Sequence, residues 1–331
     1  MDNATTQQGP PGMTAKRRAV FADYLTIARL DHSTKHIFIV PGMVLAYLLR
    51  GVHSQNVGLT IALGLVTAVC IASANYVINE WLDRESDRHH PTKSLRSAVQ
   101  AELDGRLVWL EWTVLVAVGL TAAATASTAM LCTGIVFALQ GIFYNVPPLR
   151  TKNKAYLDVI SESINNPLRL VIGWTMIDPT TLPPSSVIFA YWLGGAFLMA
   201  AKRLSEYREI VASHGKAQLV LYRASFARYT EISLTVSCFV YTLLSSFFLA
   251  IFLIKYRVEY ILVLPVVTAL FAQYLALSMR AGSSAQKPEK LFRERGLILL
   301  VVLLMIVFGI ATVVNLPALD TLTSQSYISL S

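Results

Sequence analysis

The sequence predicts an all-α integral membrane protein of about nine transmembrane helices, and three observations carry that prediction. Only 15% of the 331 residues are charged, where a soluble domain carries roughly a quarter. Mean hydropathy is +0.53. The apolar residues come in long blocks such as Val258–Met279 and Gly296–Leu316, close to the ~20 residues needed to cross the hydrocarbon core.

Taken in order, the apolar runs place spans near 36–53, 58–80, 107–125, 127–147, 156–177, 184–203, 230–254, 258–279 and 296–317. Residues 1–30 read as a polar tail, holding Gly9, Pro10, Pro11 and Gly12, followed by an interfacial stretch over Ala19–Leu30. No signal peptide opens the chain. Residues 31–318 form the membrane domain and 319–331 a short tail.

Charge tests this arrangement independently. With the N-terminus cytoplasmic, segments 1–35, 80–106, 149–155, 202–229 and 280–295 fall inside and hold 24 of the 28 Lys and Arg residues. That bias is what the positive-inside rule expects, and it leaves the C-terminus outside. The net charge of +8 therefore reflects topology first and attraction to anionic lipid or phosphate second. The basic residues are spread over five loops, which argues against a nucleic-acid partner. Cys70, Cys132 and Cys238 each lie in an apolar run without metal-ligand spacing and read as small core residues. Chemistry is expected in the long polar loops after the second and sixth spans.

The second span ends Asn75-Tyr-Val-Ile-Asn79-Glu80-Trp-Leu-Asp83-Arg84-Glu-Ser-Asp87-Arg88-His-His-Pro91. In a continuing helix Asn79, Asp83 and Asp87 share one face, with Asn75 a turn earlier. Three oxygen donors on one stripe suit Mg²⁺. A solvated helix end with its acids paired to Arg84, Arg88 and Lys93 is the plainer account. The acids, however, begin at membrane depth, where ionisable groups usually serve function. Pro91 stops the helix. Lys93 and Arg96 then follow within reach of a bound phosphate.

After the fourth span comes Tyr144-Asn-Val-Pro-Pro-Leu-Arg150-Thr-Lys152-Asn-Lys154-Ala-Tyr-Leu-Asp158. Pro147 and Pro148 end that helix and three cations follow. Asp158, Glu162, Asn165, Asn166 and Arg169 then occupy one face of the fifth span, which Pro167 can kink. Such a stripe must line a cavity or pair with another helix. An internal Glu162–Arg169 or Asp158–Arg169 pair is the structural alternative. Lys202, Arg203 and Glu206 close the sixth span, where topology alone also supplies cations. Tyr222, Arg223, Arg228 and Tyr229 share that ambiguity. Together these groups describe an acidic face opposite several cations at one membrane surface, suited to holding a diphosphate through Mg²⁺. The histidines, including His89-His90, fit no metalloprotease pattern.

On these residues the sequence resembles the UbiA-type prenyltransferase superfamily. Asn79-Glu80-Trp-Leu-Asp83-Arg-Glu-Ser-Asp87 matches its N-D-x-x-D-x-x-x-D motif, with Glu80 in place of the family's Asp. The run from Asp83 to Arg96 more specifically resembles the decaprenyl-phosphate phosphoribosyltransferase branch. Weaker matches are Lys35, Ala201-Lys202-Arg203 with Glu206, and Pro288-Glu289 with Arg293. Asp158-x-x-x-Glu162 followed by Asn165-Asn166 looks closer to the second acidic motif of the wider superfamily.

The resemblance implies nine membrane helices, a cytoplasmic-side active site and a bacterial plasma membrane location. It also implies transfer of a 5-phosphoribosyl group from phosphoribosyl diphosphate to a polyprenyl phosphate. Asn79, Asp83 and Asp87, with Asp158, would hold the metal. Lys93 and Arg96 would bind leaving-group or 5-phosphate oxygens, and Lys202 and Arg203 would place the lipid phosphate. Lys35, Arg88, Tyr144, Arg150, Lys152, Glu162, Asn165, Asn166, Arg169 and Glu206 complete the expected substrate contacts. The alternative is a prenyltransferase that ionises a prenyl diphosphate toward an aromatic or other small acceptor. A transporter without chemistry fits less well, because its polar groups would lie near the midplane.

Overall fold

The computed structural model describes residues 16–90, 92–280 and 294–323. Pro91, the expected polar opening, Pro288, Glu289, Arg293 and the tail from 324 lie outside the described residues. The chain is helical almost throughout. Helix α1 (Phe21–Ile27) leads into a 3₁₀ stretch over Leu30–Ile39, then α2 (Val40–Arg50) and α3 (Val57–Asp87). A short α4 (Ser97–Gln100) precedes α5 (Gly105–Ala126) and α6 (Thr128–Asn145). Next come α7 (Leu157–Ser163), α8 (Asn165–Ile177), α9 (Ser185–Tyr222) and α10 (Glu231–Tyr256). A 3₁₀ stretch, α11 (Leu264–Ser278), α12 (Arg295–Val313) and α13 (Pro317–Thr323) complete the order. Two-residue strands, Arg17–Arg18 and Ala101–Glu102, pair in parallel and tie the N-terminal segment to the loop before α5. Phe21 and Leu25 on α1 are exposed.

Seven helices among the described residues are long and apolar enough to cross a membrane: α3, α5, α6, α9, α10, Val258–Ser278 and α12. The protein is an integral membrane helical bundle. Where the other two spans were expected, the structure has shorter, broken helices. Residues 36–53 divide into the 3₁₀ stretch and α2, and 156–177 into α7 and α8. The second break has a local cause: Pro167 lacks the N–H that would bond the carbonyl of Ser163, where α7 ends. The long helices start at real caps. Asn56 accepts from the amide of Leu59 (3.1 Å), Asp104 from Arg106 (2.8 Å), Ser127 from Met130 (3.1 Å) and Thr230 from Ser233 (3.0 Å).

One expectation is corrected here. The sixth span does not end near residue 203 in a long loop; α9 runs on to Tyr222, interrupted only at Gly215, whose φ is 80°. Polar residues there extend a helix beyond the membrane rather than stop it, because Glu, Lys, Arg, Ala and Leu are all good helix formers.

Packing sets the site. Ile71, Met130, Phe137, Ile172 and Trp174 form a core among α3, α6 and α8. The 3₁₀ stretch and α2 lie hard against α8. A Cβ on Gly42 would stand 2.0 Å from the Leu170 carbonyl oxygen, and one on Gly173 2.1 Å from that of Ile39. Such close backbone approach is the small-residue mode of membrane helix packing. It brings the segment bearing Lys35 against the helix bearing Arg169. On α12, Leu299, Met305 and Val313 are exposed, as lipid-facing residues should be.

Candidate active site

At the end of the bundle that carries the basic loops lies a cavity of about 710 Å³. Helix α3 supplies its acidic wall. Asn75, Asn79, Asp83 and Asp87 all line it, one per turn. Asp83 accepts from Lys152 Nζ (2.6 Å) and Arg150 Nη2 (3.0 Å), both on the turn after α6. Asp87 accepts from Arg96 Nη1 at 2.6 Å. Asn79 donates through Nδ2 to Asn145 Oδ1 (2.5 Å), which also accepts from Lys152 Nζ (2.9 Å). That bond leaves the Asn79 oxygen turned to other uses. Arg150 is held at φ 29° while bonding the Leu82 carbonyl (3.2 Å), a strained backbone fixed by its side chain.

Opposite stands a knot tied by Arg203, which is 2% exposed. Its Nε donates to Asp158 Oδ2 (3.2 Å), its Nη2 to Glu162 Oε2 (3.2 Å) and its Nη1 to Glu206 Oε2 (3.0 Å). One guanidinium thus joins α7 to α9. Asp158 also accepts from Tyr229 Oη (2.7 Å), Ser225 Oγ (3.1 Å) and Arg223 Nη1 (3.5 Å). Tyr144 Oη donates to Glu162 Oε2 at 2.7 Å.

Three cations of the cavity, Lys35, Lys93 and Lys202, have no ion pair among the described residues, while the other six do. Lys93 lies over the Tyr222 ring, 5.1 Å from its centroid. Burial draws its ammonium down to about 8, against the opposing pull of Glu206 and Asp87. Burial likewise draws Lys152 down to about 8, with Asp83 pulling the other way. Burial, then the charge of Lys93, holds His90 at about 3. Neutral His90 accepts through Nδ1 from the amides of Thr92 (3.2 Å) and Lys93 (3.3 Å), which fixes the turn presenting Lys93.

Most of the residues singled out in the sequence meet here: Lys35, Asn79, Asp83, Asp87, Lys93, Arg96, Tyr144, Arg150, Lys152, Glu162, Asn165, Lys202, Arg203 and Glu206 line this one cavity. Four do not. Arg88 turns to Glu85 (2.9 Å), the solvated helix-end pairing. Asn166 packs on α9, its amide 2.1 Å from where a Cβ on Gly195 would be. Arg169 lies behind the cavity, its Nη1 on the Asn165 carbonyl (3.1 Å), and the alternative internal pair with Glu162 or Asp158 does not form among the described residues either. Asp158 is fully buried with its oxygens taken by four donors, and the expectation that it ligates a metal is corrected to an anchoring role. Arg203 is reassigned in the same way: three of its five N–H donors go to carboxylates, which makes it a tie between α7 and α9.

Other lining residues had little or no sequence signal. Gln140 and Asn145 sit in an apolar span, and Arg29, His90 and Arg223 became neighbours of the site only through tertiary packing. A polar side chain one turn before Tyr144 was the available clue to Gln140. A metal fits the acidic wall. Among the described residues no three His, Cys, Asp or Glu side chains gather as a metal cluster. Two carboxylates and an amide on one stripe suit a cation such as Mg²⁺, which completes its shell with water and substrate phosphate.

A model of the UbiA prenyltransferase family matches residues 37–298. Protoheme IX farnesyltransferase of Geobacillus kaustophilus is 28% identical over 203 residues, covering 58% of this chain and 63% of that one. Decaprenyl-phosphate phosphoribosyltransferase of Mycobacterium tuberculosis is 26% identical over 174 residues, 51% of this chain and 55% of that one. The chain thus spans less than two thirds of the length of these relatives. A UbiA homologue from Archaeoglobus fulgidus, solved bound to GPP and Mg²⁺, matches with a TM-score of 0.64 at 20% identity, over 88% of this chain and 100% of that one. Its complex with DMAPP and Mg²⁺ gives 0.65 at 19%, with the same coverage. This likeness shows a shared fold.

Proposed function

The chain belongs to the UbiA prenyltransferase family, and from that premise we propose that it moves a 5-phosphoribosyl group from phosphoribosyl diphosphate to a polyprenyl phosphate, releasing diphosphate. The observation that carries this reading is the charge of the cavity. Nine Lys and Arg residues line it against four carboxylates. Phosphoribosyl diphosphate and a lipid phosphate together bring three phosphate-bearing groups, which suits such an excess.

Asp83 and Asp87, with the free oxygen of Asn79, would hold Mg²⁺, which when bound offsets diphosphate charge. Lys152 and Arg150 orient Asp83, and Arg96 orients Asp87. Lys93 takes diphosphate oxygens from the opposite side. Lys202, free of any ion pair among the described residues, places the lipid phosphate. An oxygen of that phosphate attacks C1 of the ribose as the C1–O bond to diphosphate breaks, and the electron pair leaves with diphosphate. The nucleophile is already an anion, so no general base is required. Arg203 fixes Glu162 and Glu206 in place, and so holds the wall against which the substrates are positioned.

Product identity tests the reading. Purified protein with Mg²⁺, phosphoribosyl diphosphate and polyprenyl phosphate should yield a lipid whose mass is raised by one ribose 5-phosphate unit less water. No such lipid under conditions where the protein stays folded contradicts it. A second reading, transfer of a prenyl group from a prenyl diphosphate, is favoured by the farnesyltransferase relative and by the GPP and DMAPP bound in the solved homologue.

A further inference from the structure

We propose that Glu80 is a positioning residue rather than a metal ligand: it holds Arg29 at the cavity wall, where the guanidinium meets the donor diphosphate. This role deepens the transferase reading above and rests on it for the diphosphate, which either donor carries.

Glu80 belongs to the acidic run of α3, yet it does not line the cavity as its neighbours Asn79 and Asp83 do. Its side chain is 4% exposed and turns to the N-terminal segment, with Oε2 3.7 Å from Arg29 Nε. A carboxylate buried this far is unfavourable without a cation beside it. Arg29 is placed differently: its side chain is 26% exposed and lines the cavity. The pair therefore runs from the packed interior to the cavity wall, with the anion at the closed end and the cation at the open one.

The backbone is shaped for this placement. Arg29 has φ 52° and ψ 47°, the left-handed region that a residue with a side chain rarely adopts. Such strain persists where the surroundings over-determine it, and it collects at functional sites. Here the surroundings do so. Ile27 and Ala28, just before it, are buried with Val77, Ala98 and Val108. Tyr24 Oη accepts from the Asp104 amide (3.0 Å), and Arg17–Arg18 pair with Ala101–Glu102. The N-terminal segment is thus moored to α3 and to the loop before α5, and Arg29 is carried from it to the cavity. Charge supplies the ligand. The Arg29 guanidinium carbon stands 6.0 Å, and Lys35 Nζ 5.2 Å, from the centre of the same Tyr76 ring. Two cations so placed repel each other, and Glu80 pairs with Arg29 alone of the two, so an anion is favoured beside them. Glu80 and Asp83 are i, i+3 neighbours on α3, about 5–6 Å apart at Cβ. The guanidinium that Glu80 fixes therefore stands beside the acidic wall.

Inorganic diphosphate is the probe, with binding to the full-length purified protein in Mg²⁺ measured by calorimetry. Arg29→Gln should weaken binding about tenfold, as expected for a hydrogen bond between charged groups, and Arg29→Lys should recover part of the loss. Glu80→Gln should weaken binding to a similar degree with the Mg²⁺ requirement unchanged. The double variant should bind no more weakly than Arg29→Gln, because Glu80 acts through Arg29. It removes both charges together, so it should melt near the parent even where Glu80→Gln alone is unstable. Parent affinity in Arg29→Gln, a further loss when Glu80→Gln is added to it, or a raised Mg²⁺ requirement in Glu80→Gln overturns the assignment. Turnover of phosphoribosyl diphosphate together with parent diphosphate affinity in Arg29→Gln defeats the positioning role and leaves the transferase reading intact. A coupled loss of diphosphate binding in a protein that turns over only prenyl diphosphates does the reverse.

Discussion

Asp83 holds two cations of the turn after α6 while facing the cavity, so its charge serves both position and ligand binding. Asp83→Asn keeps the shape and removes the charge. Turnover should fall by about two orders of magnitude or more, with the helical circular dichroism of the parent retained; near-normal turnover would remove Asp83 from the metal set. Lys93 gives a pH signature. Its ammonium titrates at about 8 in the free protein, and only the protonated form attracts the diphosphate. The kcat/KM for the donor should therefore hold below that pH and decline above it. Lys93→Arg, always charged, should remove the part of the decline that Lys93 supplies and leave the part that comes from Lys152 on Asp83, also drawn to about 8. The α3 stripe was legible from spacing alone, since i, i+4 repetition fixes a helical face. Asp158 was not, because nothing in its spacing reveals Tyr229 and Ser225, some seventy residues on, closing over it.

At the scale of elements, the site depends on how two broken helices meet. The Pro167 break between α7 and α8 lets Asp158 and Glu162 turn to Arg203 while Asn165 faces the cavity. Gly173 lets the 3₁₀ stretch reach α8. Gly173→Ala would drive a methyl into the Ile39 carbonyl, with an overpacking penalty of about 1–3 kcal/mol. Thermal unfolding should drop by a few degrees and donor KM should rise as Lys35 is displaced; an unchanged melting point would show that the contact is looser than described. Asp158→Asn should weaken the tie among α7, α9 and the segment after α9. It should raise KM for both substrates without altering metal dependence, whereas a change in metal dependence would return Asp158 to the ligand set. Span positions were legible in the sequence because apolar length sets them. The extension of α9 past the membrane was not, because polar helix and polar loop share a composition.

Across the whole molecule, an apolar bundle carries its charge at one end, and nine cations there line a cavity with four carboxylates. The class, the crowding of charge at one end and most of the lining residues were legible from apolar runs and the distribution of Lys and Arg. That Arg169 lies behind the cavity and bonds a backbone carbonyl emerged only from packing, since sequence spacing cannot say how each polar residue of a stripe is satisfied. The choice between a sugar-phosphate and a prenyl donor is the central claim. It is tested most directly by following diphosphate release in two parallel reactions of detergent-purified protein with Mg²⁺. One contains phosphoribosyl diphosphate and polyprenyl phosphate, the other a prenyl diphosphate and an aromatic acid. The account predicts release in the first alone, dependent on the lipid phosphate and abolished by EDTA; release in the second alone would contradict it.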